Sequence, residues 1–386
     1  MFGRTPNKVK KQKSVSVKVE QLLPDTTINE SKLVEIKDEI VLARLNQAVP
    51  EIAHVLSVGA QAAGSTYQAI LPMASSVPPS RDMKKAFLGL FKKRSAAALS
   101  TASGTLGTAS SLIFGVAALI VGQKYMSDIA KGLNRLNDGI RSITSFQQNE
   151  YKSKVEALII RITVLLMNKT ELLLNADLCE RTLIELASIE GECAQLLGQA
   201  NETLDGFAHV KITDFKKYCD VVREIQPWVE FQNRLLAVLY YVSDLKYVLN
   251  RSRGKVSRSY CRSLFDIYIA QTEKAKRALK DWHVLETKAF KIDIVELKRK
   301  RSGMDAFLHA LGSKSKSKYR DLPEGMGELI GGQINDNTLD YYTALQDDPF
   351  DCDLEIYIRD GKVFMLADSD GDEAEQQEVG DAPASA

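Results

Sequence analysis

Proline is missing from long stretches of this chain. None occurs in the 147 positions between Pro79 and Pro227, and none between Pro227 and Pro323. Proline removes a backbone donor and clashes inside a helix. These tracts are filled instead with Leu, Ala, Glu, Lys and Ile, which support helix. The spacing predicts a mainly α protein: an elongated helical bundle with coiled-coil-like helices and an apolar helical segment, plus a small C-terminal β-hairpin unit.

Metal-ligand spacing and disulfide frameworks are missing too. The five cysteines (Cys179, Cys193, Cys219, Cys261, Cys352) are dispersed and odd in number, without any CxxC, and the four histidines are equally scattered. This argues against a metal centre and for a reducing compartment. No phosphate-binding loop, dinucleotide fingerprint, HExxH, nucleophile elbow or kinase signature occurs, and no carboxylate pair stands in an apolar setting. A calcium loop over Asp368–Asp372 fails in register, because taking Gly371 as the turn glycine puts Leu366 and Gln377 at ligand positions. The expectation is a non-enzymatic protein with no cofactor and no metal.

Charge is absent over one conspicuous run. From Ala96 to Gly122, 27 residues carry no ionisable side chain, between Lys92-Lys93-Arg94 and Lys124. A membrane-crossing helix needs ~20 mostly apolar residues. Ser103, Gly107, Ser111 and Gly115 recur every four residues, a stripe suited to close helix packing. Leu112, Ile113, Phe114, Val116, Leu119, Ile120 and Val121 are the residues expected to enter an acyl layer. The Ala, Ser, Thr and Gly of the first half insert poorly by themselves, which suits a segment held inside a soluble form and exposed later. Just before the run, Met83, Phe87, Leu90 and Phe91 share a helical face bordered by Lys84, Lys85, Lys92, Lys93 and Arg94, a basic amphipathic stretch for anionic surfaces. A bundle helix with snorkelling lysines gives the same pattern.

After the apolar run, Met126, Ile129, Leu133, Leu136, Ile140 and Ile143 keep 3-4 spacing, a short heptad seam. An antiparallel partner within the same chain suits so short a seam better than an intermolecular zipper. Further helices are expected near 29–51, 150–200, 211–250 and 256–311. Residues 1–25 read as a basic disordered arm and lack the apolar core of a secretory signal. Residues 26–320 read as the helical bundle containing the apolar segment 96–122, and residues 321–367 as a separate small C-terminal unit. There Gly325, Gly327, Gly331 and Gly332 suggest a flexible linker, and a hairpin covers 354–366 with Asp360-Gly361 at its turn. Residues 368–386 read as an acidic disordered tail.

The net charge of +1 conceals a split. Residues 321–386 hold 18 acids and two bases, leaving residues 1–320 at +17. Lys298-Arg299-Lys300-Arg301, Lys314, Lys316, Lys318 and Arg320 concentrate eight bases in 23 residues. With only Phe307 and Tyr319 nearby for stacking, anionic lipid fits this segment better than nucleic acid.

A long helical body with an early apolar head, Val55–Gly122, and a rod from about Met126 to Leu311 resembles the α-helical pore-forming toxins. The resemblance is one of architecture, without a residue fingerprint. The chain departs from those toxins in the early position of its apolar segment and in the added hairpin and acidic tail. The resemblance implies oligomerisation on a membrane after a conformational change. The leading expectation is therefore a cytoplasmic or membrane-associated helical protein that contacts or inserts into lipid membranes, possible toxin-like pore formation included, as a homo-oligomer or with a protein partner. The alternatives are a soluble helical scaffold and a nucleic-acid-binding module built on residues 298–320.

Overall fold

The computed structural model describes residues 17–23, 25–59, 65–73, 108–143, 149–251, 257–301, 319–336, 338–343, 348 and 350–366. The chain is mainly α, with small antiparallel sheets, as the proline-poor tracts predict. After β1 (Val19–Gln21), a 3₁₀ turn leads into β2 (Leu33–Glu35), succeeded by α1 (Glu39–Ala48), α2 (Pro50–Gly59) and β3 (Thr66–Leu71). The bundle comprises α3 (Thr108–Ser142), α4 (Asn149–Leu166), α5 (Lys169–Leu174), α6 (Ala176–Phe207), α7 (Phe215–Arg251) and α8 (Arg258–Ala289). The short strands β4 (Ile292–Asp293), β5 (Lys298–Lys300) and β6 (Tyr319–Asp321) form a three-stranded sheet. Then come α9 (Met326–Ile334), α10 (Thr338–Thr343) and the hairpin β7 (Leu354–Arg359) and β8 (Lys362–Leu366).

Helix α7 is the centre of the bundle, packing against α3, α4, α6, α8 and α9. Its residues are largely buried, among them Tyr218, Phe231, Leu235, Leu239, Leu245 and Tyr247, and with them the polar Gln232, Ser243 and Asp244. A helix so buried must be enclosed by others. Pro227 lies inside it without ending it. Side-chain caps start the neighbouring helices: Asn175 Oδ1 accepts from the amides of Asp177 and Leu178 at α6, and Ser257 Oγ from Tyr260 at α8.

Four expectations need correction. The helix expected over 29–51 begins only at Glu39, because Leu33–Glu35 pairs with β8 and Asp38 is the N-cap of α1. The helix expected to reach residue 311 ends at Ala289, where Lys291 and then Leu297 adopt positive φ and turn the chain into β4 and β5. The glycines at 325–332 form no linker. Gly325 is the N-cap of helix α9 and the other three lie within it, and a Cβ on Gly327 would come within 2.2 Å of the end of the half-exposed Leu297 side chain, which would have to move aside.

The fourth correction concerns the hairpin. Asp360 and Gly361 both take positive φ, 52° and 72°, the two-residue turn that their sequence specifies. The hairpin does not stand apart as a C-terminal unit. It occupies the middle of a five-stranded sheet in the order β1-β3-β7-β8-β2, with Gln68 opposite Tyr357 and Val34 opposite Met365. Part of the supposed N-terminal arm belongs there as well, since Val19–Gln21 pairs with β3, Gln21 standing opposite Tyr67. The acidic tail and residues 1–16 lie outside the described residues.

Candidate functional site: the apolar helix and its packing

Helix α3 runs without interruption from Thr108 to Ser142, so the apolar run and the heptad seam share one rod. No proline and no charge before Lys124 oppose its propagation. Its seam faces inward within the chain: Met126, Ile129, Leu133, Ile140 and Ile143 are buried and Leu136 half-buried, in a bundle with α4 and α7.

The residues expected to meet lipid are placed inside. Ile113, Phe114, Val116, Leu119, Ile120 and Val121 are each between 2% and 7% exposed, and Leu112 is half-buried. The helix packs against α1, β3, α5 and α7. Of the proposed packing stripe, Ser103 and Gly107 lie outside the described residues, Ser111 is within α3, and Gly115 is half-buried there. Lys84, Lys85, Lys92, Lys93 and Arg94 also lie outside the described residues. Small residues do permit close packing on this helix, at positions away from the four-residue stripe. A Cβ on Gly132 would lie 2.2 Å from the hydroxyl of Tyr241, one on Gly139 3.1 Å from Nε of Arg234, and one on Gly122 3.3 Å from Leu173.

Polar clamps secure the rod where its two halves join. Gln123 donates from Nε2 to Oδ2 of Asp38 at 3.0 Å and to Oγ1 of Thr170 at 2.6 Å, while Thr170 donates to the same Asp38 oxygen at 2.5 Å. The other oxygen, Oδ1, caps α1 through the amides of Ile40 and Val41. Burial raises the Asp38 pKa, but the hydrogen bonds from Thr170, Val41, Gln123 and Ile40 outweigh it and hold the carboxyl below its ordinary value.

Two residues on, Tyr125 donates to Oδ2 of the buried Asp244 at 2.8 Å and accepts from Arg258 at 3.2 Å. Arg258 Nη2 and Arg262 Nε each lie 3.8 Å from Oδ1 of Asp244, and the Arg262 guanidinium stacks 4.9 Å from the Tyr240 ring centre. Burial and then the Asp244 charge push the Tyr125 phenol up, keeping it protonated as a donor. This cluster is absent from the sequence expectations. The one signal for it was an aspartate inside the apolar stretch Leu235–Leu249.

The opposite end of α7 carries a second buried polar group. His283 Nε2 lies 3.0 Å from Oε1 of Gln333, which can only accept, so Nε2 bears the proton and Nδ1 accepts from the Tyr218 hydroxyl at 2.9 Å. Gln333 Nε2 donates to the Val222 carbonyl and to Gln226, fixing its amide orientation. Burial drives the His283 pKa down to about 4, opposed only in part by the Gln333 bond. Nearby, Lys276 donates to Asp336 at 2.7 Å and to Asn233 at 2.8 Å, tying α8 and α7 to the segment after α9. His283, Gln333, Lys276 and Asp336 are thus largely enclosed and hydrogen-bonded across helices.

Other sequence candidates are dispersed. The basic run at 298–320 is split: Lys298–Lys300 forms β5, Arg299 stacks 4.3 Å over the Phe215 ring, and residues 302–318 lie outside the described ones. Cys179, Cys193, Cys219 and Cys261 are buried free thiols in separate places, and Cys352 is exposed. Among the described residues, no group of three or more His, Cys, Asp or Glu side chains is placed to hold a metal ion. The chain matches no family model, no curated protein and no solved structure, so its functional reading rests on its own geometry.

Proposed function

We propose that the protein is a non-enzymatic helical scaffold that works through its surfaces, with α3 as its internal pillar. The observation that carries this reading is the burial of Ile113, Phe114, Val116, Leu119, Ile120 and Val121. Burying each such side chain is worth roughly 1.5–3 kcal/mol, so six amount to about 9–18 kcal/mol. That is comparable in size to the net stability of a typical domain, about 5–15 kcal/mol. Exposing this face to water, even in passing, would cost free energy on that order.

A second reading, reversible membrane contact with oligomerisation, is favoured by length and composition. Leu112–Arg141 spans 30 residues and contains an 18-residue window with a mean hydropathy of 1.3, and the uncharged run that leads into it begins at Ala96. Flotation on anionic and neutral vesicles, run beside dye release, separates the two. The scaffold stays in the dense fraction and releases no dye, whereas a membrane-active protein floats. Flotation without dye release assigns surface attachment instead of pore formation.

A further inference from the structure

Residues 1–320 carry +17, yet the span 149–207, covering α4 to α6, holds ten acids against five bases. Within that acidic region lies an apolar row facing solvent. Ile160, Val164 and Met167, spaced four and three apart on and just after α4, are 49%, 51% and 72% exposed, and Ile184 on α6 is 73% exposed. Arg161 stiffens this surface: it grips Glu192 through two bonds of 2.8 and 2.9 Å and reaches Glu185 at 2.6 Å, fastening α4 to α6. Apolar anchors at i, i+4 and i+7, on a span whose sequence carries twice as many acids as bases, fit a basic amphipathic helix.

The chain contains such a sequence. Arg81–Arg94 carries six bases against one acid, with Met83, Phe87, Leu90 and Phe91 at helical spacing. We infer that segment 81–94 docks onto the Ile160/Val164/Met167 face of its own chain, its lysines meeting the acids of α4–α6. Tether length allows it. The 34 residues between Met73 and Thr108 stretch to about 110 Å, whereas α3 is only about 52 Å long. Docking uses the same cations that an anionic headgroup would attract, so the two are mutually exclusive. This inference stands whether or not α3 ever meets lipid.

The test places a photo-crosslinking benzoylphenylalanine at Val164 in the full-length protein at low salt. Val164 is exposed, so the fold tolerates the change, and a melting curve checks that. Cross-links within the monomer to peptides from 81–94 are expected. They should fall about ten-fold in 1 M salt, where the Debye length is about 3 Å, and equally when Lys84, Lys85, Lys92 and Lys93 are changed to Glu. Cross-links to other segments only, cross-links confined to dimers, or yields indifferent to salt and charge reversal would overturn the inference.

Discussion

Gln123 donates to Asp38 across 85 positions of sequence, and through that bond the cap of α1 becomes a clamp on α3. With Thr170 on the same oxygen, one carboxylate ties three helices together. Asp38→Ala removes a cap and two cross-helix bonds, and should cost about 2–4 kcal/mol. Thr170→Val, which keeps the shape, should cost about 1 kcal/mol. Denaturant unfolding measures both. Because the folded Asp38 pKa is lowered, its contribution is complete above the unfolded value of about 3.9 and disappears as pH falls below it. Exposure to pH 5 should therefore leave this clamp intact.

Gly132 gives the sharpest packing test. A methyl there must displace Tyr241, so Gly132→Ala should lose about 1–3 kcal/mol despite alanine's better helix propensity. Gly198 on α6 has nothing within 4 Å of an added Cβ. Gly198→Ala should gain up to about 1 kcal/mol. Shifts of opposite sign in a urea midpoint would show that shape, not backbone freedom, decides at position 132.

His283 supplies a pH dependence of known sign. Its folded pKa near 4 lies below the ordinary value of 6.5, so between those values the unfolded chain holds more protons. Stability should fall as pH drops through that window, by about 3 kcal/mol once both states are protonated. His283→Gln should flatten that slope while lowering stability at pH 8. Unfolding curves at pH 4.5, 5.5, 6.5 and 8 decide it.

Lys276 and Asp336 form a buried pair, 13% and 11% exposed. Lys276→Met strands the carboxylate and should cost about 3–5 kcal/mol, whereas Lys276→Met with Asp336→Leu should recover much of it. Additive losses in this double-mutant cycle would show that the two charges act independently.

What the sequence reveals is local. The apolar spacing from Met126 to Ile143 is met by a largely buried face, and the turn at Asp360-Gly361 takes the positive φ angles that its dipeptide specifies. The pairing of Gln68 with Tyr357, nearly 290 positions apart, leaves no local trace, so the hairpin is legible while its partners are not. Gly327 looks like flexibility in sequence, and only the fold reveals that it lies within a helix, beside Leu297. An apolar run such as Leu112–Val121 satisfies a bilayer and a bundle interior equally well. The helices that surround it, α1, α5 and α7, are remote in sequence. The cluster at Asp244 is hidden for the same reason, its partners coming from α3 and α8.

The central claim is that the apolar half of α3 is permanent interior. Hydrogen exchange of the amides from Ile113 to Val121, with and without anionic vesicles, tests it most directly. The account expects protection close to that of global unfolding, unchanged by vesicles at neutral pH. Vesicle-dependent deprotection of the clamp residues Asp38–Val41 and Thr170, with the α3 amides shielded by lipid, would contradict it.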